Sequence, residues 1–218
     1  MFLLAMKVKI LLTDFAIPSN VLLGADGLPV SSDNKQDWLK ARMTGVTATD
    51  INKIVSPTLK ISSQSEKLLK GKLEIKEEIE EPQLNSYMVH GNEREPIIAE
   101  WALGNFDMQP NNFLFYGLNS QHLATPDGIG TDFAGEIKTS LKPLKSILGY
   151  YMNQMQWQLN VMQMEKCLFI VEQHESFKPL DIDYMWVYRD EERINFLIKH
   201  VDEFIYKLNH ELHKRNIV

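Results

Sequence analysis

Cysteine is almost missing from this chain: Cys167 is the only one in 218 residues. One thiol cannot close a disulfide within the chain, complete a four-cysteine zinc site, or supply the four ligands of an iron–sulfur cluster. A reducing cytoplasm suits such a sequence. Also missing is any apolar run near the roughly 20 residues of a membrane span. The opening residues 1–12 (MFLLAMKVKILL) come closest, but Lys7 and Lys9 interrupt them. A signal peptide places its charge first and then an unbroken apolar stretch, so this segment reads as a strand or an ordered arm. Internal repeats and low-complexity linkers are absent. Positive charge is in deficit, with 23 Lys and Arg against 29 Asp and Glu for a net charge of −6. A polyanionic partner would therefore need a local basic surface, not a basic chain. Much of the excess acid lies in residues 74–81 (EIKEEIEE), read as a solvated helix face.

Apolar residues make up 44% of the chain, enough for one real core, and the length fits a single domain over residues 1–218. Residues 38–43 (WLKARM) are predicted helical, and 47–54 (TATDINKI) begin another helix capped by Thr47 or Thr49. Further helices are expected over about 65–80 and over 88–103, the latter with Ile97, Ile98 and Trp101 on one side. The pattern then changes. Residues 113–118 (FLFYGL), 122–124 and 135–138 read as strands, with turn formers Asp127, Gly128 and Gly130 between the last two. Residues 146–163 form a helix striped by Leu148, Met152, Met155, Leu159 and Met162. Residues 166–172 and 184–188 read as buried strands, and 172–183 as a loop. A final helix over 191–214 buries Ile194, Leu197, Ile198, Val201, Phe204, Ile205, Leu208 and Leu212. The order predicts a mixed α/β fold, a central mixed β-sheet flanked by helices.

Four places carry chemistry. Pro126-Asp127 is followed, nine residues after the aspartate, by Glu136-Ile137-Lys138. On a strand Glu136 and Lys138 share a face and Ile137 takes the other. Two carboxylates meeting beside an ammonium group suit a hard cation, and Lys138 could position or deprotonate an attacking water. The alternative is a plain ion pair after a hairpin. Gly91-Asn92-Glu93-Arg94-Glu95-Pro96 opens a helix, where Glu95 either favours the helix start or adds a third carboxylate. Trp38, Arg42, Thr47 and Thr49 offer a guanidinium fork, hydroxyls and a helix start to a phosphate; a capped helix behind a surface arginine is the plainer reading. Tyr151, Gln154 and Gln158 share one helix side, to touch DNA or a metal-bound water, or simply to form a polar seam.

Taken in order, W-x-x-x-R with T-A-T, G-x-x-x-E-P, P-D-G, E-I-K and Y-x-x-Q-x-x-x-Q resemble the phage lambda exonuclease and YqaJ-like viral recombinase family over residues 38–158. The resemblance implies a restriction-endonuclease-like PD-(D/E)xK core. It implies Asp127, Glu136 and the Ile137 carbonyl as ligands of Mg2+, with Mn2+ also accepted, Glu95 as the helix carboxylate near the metals, and Lys138 as the catalytic lysine. Arg42 and Thr49, with Thr47 beside them, would match a 5′-phosphate pocket; the family often has serine where Thr49 stands. Tyr151 and Gln154 would match helix residues beside the active centre, with Gln158 next to them. The implied activity is digestion of linear double-stranded DNA from its ends, 5′ to 3′, in recombination by single-strand annealing. The implied partners are an annealing protein and two further copies of the chain in a ring-shaped trimer, in the cytoplasm of a bacterial host or lysogen. An endonuclease or repair nuclease on the same core, and an inactive nuclease-like binding module, are the competing readings.

Overall fold

The computed structural model describes residues 19–74 and 84–215; the expected arm over 1–12 and nearly all of the acidic run over 74–81 lie outside them. In chain order the elements are α1 (Lys35–Met43), β1 (Val46–Thr47), a short 3-10 turn (Ala48–Asp50), α2 (Ile51–Ile54), α3 (Ser65–Leu73), α4 (Ser86–Phe106), β2 (Gln109–Pro110), β3 (Phe115–Tyr116), β4 (His122–Ala124), β5 (Gly128–Ile129), β6 (Phe133–Ser140), α5 (Leu144–Met162), β7 (Lys166–Glu175), β8 (Lys178–Tyr188) and α6 (Glu191–Lys214).

Five strands form the main sheet in the order β2-β5-β6-β7-β8, with β6 and β7 parallel and the other pairs antiparallel. Strand alternation assigns its two faces. Phe133 and Ile137 of β6 join Leu168 and Ile170 of β7 beneath Ile98, Ala99 and Ala102 of α4. Cys167, Phe169 and Val171 turn the other way, onto Leu144, Met155 and Leu159 of α5. Glu136 is paired with Phe169 in register, so it faces α5 as well. A second sheet, β1-β4-β3, lies alongside. The α6 stripe packs Leu197, Val201, Phe204, Ile205, Leu208 and Leu212 against α2, α3 and the far side of α5. Each such side chain, fully buried, contributes about 1.5–3 kcal/mol.

The hairpin before Glu136 depends on two glycines. Gly128 and Gly135 are paired in register, and a Cβ on either would come within 3.0 Å of the buried Met108 side chain. Their bareness lets the strands close over Met108 and fixes the height of β6 at its next residue.

Several sequence expectations need correction. The Gly91–Pro96 segment lies in the middle of α4 and does not open it; Pro96 is inside the helix. A proline there leaves the Asn92 carbonyl without its helical donor. Ile97 is exposed, while Ile98 is fully buried. The helix expected over about 65–80 ends at Leu73 within the described residues. Residues 172–183 are no loop: β7 and β8 run on into a hairpin closed at Ser176 and Phe177, both at positive φ (50° and 65°). That turn uses neither glycine nor asparagine, so its usual sequence mark is missing. Residues 184–188 are not a buried strand either. As the outer strand of the sheet, β8 leaves Tyr184 and Tyr188 exposed and buries Val187.

Candidate functional site

Glu136 is completely buried between β6 and α5. Its oxygens accept from Gln154 Nε2 (2.5 Å) and Gln158 Nε2 (2.5 Å), and Lys138 Nζ touches Oε1. All three neighbours are donors, so the pocket is built around the ionised carboxylate. Burial nevertheless pushes its pKa up to about 7, with Lys138 pulling down and Asp127 adding to the rise. The Lys138 ammonium also donates to the Ile137 carbonyl (2.9 Å) and lies 3.8 Å from Asp127 Oδ2. Burial disfavours its charge, but Glu136 and Asp127 outweigh this and raise its pKa. Asp127 is held by the hairpin: its Oδ2 accepts from the Ile137 amide (2.7 Å), and Asn111 donates to the Pro126 carbonyl (2.8 Å). Glu95 projects from α4 into the same cavity. Partial burial, then the like charge of Asp127, pushes its carboxyl up to about 7, a shift moderated by the solvent that reaches this exposed side chain.

This donor set fits a divalent cation. The Lys138 ammonium already sits where Glu136, the Ile137 carbonyl and Asp127 meet, so the spot attracts a cation. Burial first, with the like charge of Asp127 adding to it, pushes both carboxyls up to about 7, so an added cation would favour their ionised forms. No group of three or more His, Cys, Asp or Glu side chains among the described residues makes a metal cluster alone. The ligands would be Asp127, Glu136 and the Ile137 carbonyl, with Glu95 nearby and water completing the shell, which is how magnesium is usually held.

The second half of the site lies on α1 and the turn after β1. The Arg42 guanidinium stacks on the Trp38 ring, 3.9 Å from its centroid. Its Nη2 donates to Thr49 Oγ1 (2.8 Å) and Thr47 Oγ1 (3.3 Å). Thr47 caps the turn, its hydroxyl and amide both donating to Asp50 Oδ2 (2.9 and 3.2 Å). Asp50 is buried and pairs with the buried Lys72 (3.0 Å) and with Lys53 (3.5 Å). Burial lowers the Arg42 pKa, with Asp50 opposing. The result is a fixed fork beside two hydroxyls, the recognition geometry of a phosphate.

One cavity of about 440 Å³ joins the halves, with Arg42, Thr47 and Thr49 at one end and Glu95, Asp127, Lys138 and Gln154 at the other. Trp38 bridges them, since its indole N–H donates to Thr125 Oγ1 (3.3 Å), two residues before Asp127. Gln158 and Glu136 are both fully buried and off the cavity wall, with Gln158 holding Glu136 from behind. Tyr151 is half-buried with its ring centroid 5.5 Å from Lys138 Nζ. The sequence reading missed Asp50, which organises Thr47, and Asn111, which pins the Asp127 loop. The only signal for Asp50 was its place three residues after Thr47, the spacing of a capping box.

Residues 37–165 match the family described as the YqaJ-like viral recombinase domain. Among solved structures, the chain is similar to an alkaline exonuclease from Laribacter hongkongensis, with 20% identity and a TM-score of 0.63 over 83% of this chain and 95% of that one. The same enzyme in complex with dAMP matches at 22% identity and a TM-score of 0.63, over 82% and 94%. A phage-related exonuclease from Haemophilus somnus 129PT matches at 15% identity and a TM-score of 0.59, over 77% and 96%. These likenesses show the fold, a mixed α/β core with a mixed sheet flanked by helices. No curated protein matches the chain.

Proposed function

The chain belongs to the YqaJ-like viral recombinase domain family, and we propose that it is a metal-dependent deoxyribonuclease digesting linear double-stranded DNA from an end, 5′ to 3′. The observation that carries this reading is the single cavity that places a phosphate fork at one end and converging carboxylates with a lysine at the other. A chain end docked by its terminal phosphate at Arg42 and Thr49 would present the next phosphodiester to Asp127, Glu136 and Lys138. The solved neighbours named as exonucleases, one of them holding a mononucleotide, agree with this reading.

A bound Mg2+ or Mn2+ would supply a water of lowered pKa and neutralise phosphate charge. The protein's own groups do the rest. Asp127 and Glu136 hold the oxygen-rich corner, with Gln154 and Gln158 locking the Glu136 rotamer. Lys138, held as an ammonium, orients the attacking water by donating to it, and Glu95 accepts from a water on the open side. The ring-shaped trimer, the annealing partner and a cytoplasmic site of action belong to the same proposal through the family resemblance. No helix among the described residues is long and apolar enough to cross a membrane.

The test is digestion of 5′-labelled linear duplex and of covalently closed circles by wild type and Lys138→Ala, with magnesium or with EDTA. The expected result is early release of the label from linear DNA with magnesium alone, intact circles, and an inactive variant. Nicked circles would transfer the core to an endonuclease, and tight DNA binding without cleavage under any metal would make the chain a binding module.

A further inference from the structure

Behind the phosphate fork lies a second and larger cavity, of about 750 Å³. Lys35, Trp38 and Arg42 line both cavities and form the partition between them. On the far side the wall gains Lys53, Lys67 and Lys72. Among the described residues five cationic side chains thus line the cavity with one acid, Asp50, which is already paired with Lys72 and Lys53. In a chain of net charge −6, this gathering follows from α1 and α3, which carry Lys35, Lys40, Arg42, Lys67, Lys70 and Lys72 against Asp37 and Glu66. Leu39, Met43, Leu68 and Met88 make the rest of the wall mostly apolar, with Gln64 and Gly71 beside them. Cations beside apolar side chains, in a space within the usual 300–1,000 Å³ of ligand pockets, suit a group that carries both an anion and an apolar face.

We infer that this cavity is a second nucleotide site, taking a nucleoside 5′-phosphate unit with its phosphate toward Lys53 and Lys67 and its base against Met43, Leu68 and Met88. The inference rests on the proposed function only for the source of that unit. It could be the mononucleotide just released, or an unpaired nucleotide extending the 5′ strand past Arg42. Both present the same chemistry to the wall.

Two variants probe the cavity without touching the catalytic one. Gly71 lines it from within α3, and a Cβ there meets nothing within 4 Å. Gly71→Leu therefore plugs the space while favouring the helix. Lys67 is exposed, and Lys67→Glu reverses one wall charge while filling nothing. Equilibrium dialysis of deoxyadenosine 5′-monophosphate against the full chain should show two molecules bound to wild type and one to Gly71→Leu. In Lys67→Glu the weaker of the two should loosen by about tenfold, the worth of one charge-assisted contact. Binding unchanged in both variants, or a single molecule on wild type that Gly71→Leu retains, overturns the inference. Should Gly71→Leu fail to fold by circular dichroism, Lys67→Glu decides alone. The source is read from digestion assays. If Gly71→Leu relieves inhibition by added nucleotide, the cavity holds product; if it slows a duplex with a short 5′ tail relative to a blunt one, the cavity holds the extension. Dialysis needs no turnover, so the cavity stands or falls even if wild type leaves duplex DNA uncut, which would sink the functional reading instead.

Discussion

Two buried carboxylates, Asp50 and Glu136, sit about one cavity apart and are treated in opposite ways. Asp50 has more positive charge than it needs: burial disfavours its ionised form, but Lys72, Lys53 and Arg42 outweigh this and lower its pKa. Glu136 has one ammonium, shared with the Ile137 carbonyl and near Asp127, so burial wins and its pKa rises. The first is a finished structural ion pair. The second is an incomplete one, whose missing charge a metal would bring. A buried acid that the fold leaves short of counter-charge marks where chemistry is to be done.

The comparison predicts a double dissociation. Glu136→Gln should lower nuclease activity by about a thousandfold or more, the scale of losing an electrostatic group at the reacting centre, with a smaller fall in Tm than Asp50→Asn, because Lys138 is partly exposed where Lys72 is buried. Asp50→Asn should do the reverse first. It strands Lys72 in the interior, and breaking a buried pair from one side costs about 3–5 kcal/mol, or roughly 10 °C in Tm at this chain length. Adding Lys72→Met to Asp50→Asn should recover much of that stability. If Glu136→Gln melts lower than Asp50→Asn in the same calorimeter, the distinction between the two acids fails.

How far the sequence could show this is itself uneven. The β6 alternation and the α6 stripe were legible because each is a local periodicity, and Glu136, Lys138 and Ile137 fall where strand geometry sends them. The α5 stripe was legible only in part. Gln158 reads as part of a polar seam and Asn153 and Gln156 stand outside the apolar stripe, yet all three are buried. Their partners lie far along the chain: Arg193 on the Asn153 carbonyl oxygen, and the Tyr188 carbonyl on the Gln156 amide. No local pattern announces such a bond. Asp50 was hidden for the same reason, since the lysine that buries it is Lys72 on another helix. The Trp38 stack and its bond to Thr125 are likewise properties of the folded pair, although both residues stand in plain view.

A smaller effect separates the two acids by pH. Without metal, the carboxyls of Glu95 and Glu136 hold protons up to about 7, and a ligand carboxyl must lose its proton to bind. Calorimetric Mg2+ affinity should therefore strengthen as pH rises from 6 toward 7, by about tenfold per unit if one proton leaves, and flatten above it. In metal-free protein the same raised pKa values make stability fall as pH climbs from about 4.5 to 7, because the folded chain keeps protons that the unfolded chain has released. Asp50, with its pKa lowered, takes no part in either change. An affinity that is flat from pH 6 to 8 would mean that the metal does not meet these carboxyls.

The smallest effect tests whether poor satisfaction of a buried group always marks a working site. His90 of α4 and His174 of β7 are both buried, with ring centroids 4.6 Å apart. Among the described residues His90 Nε2 and His174 Nδ1 have no hydrogen-bond partner. Tyr87 and Phe177 pack around them, and Glu172, beside His174, is held bidentately by Arg94. Burial, then His90, lowers the His174 pKa, with Glu172 opposing. An imidazole depressed in this way contributes its full stability above its unfolded pKa of about 6.5. That contribution is lost as pH falls through 6.5 toward the folded value, because the unfolded chain takes the proton first. His174→Phe keeps the packing and removes the titration, so the pH dependence of its Tm between pH 7 and 5.5 should be flatter than that of wild type. Metal-supported activity at pH 7 should stay within about twofold, since the pair lines neither cavity. If activity fell with the slope, the histidine pair would join Glu136 as part of the machinery, and buried under-satisfaction would be a marker of function at both places.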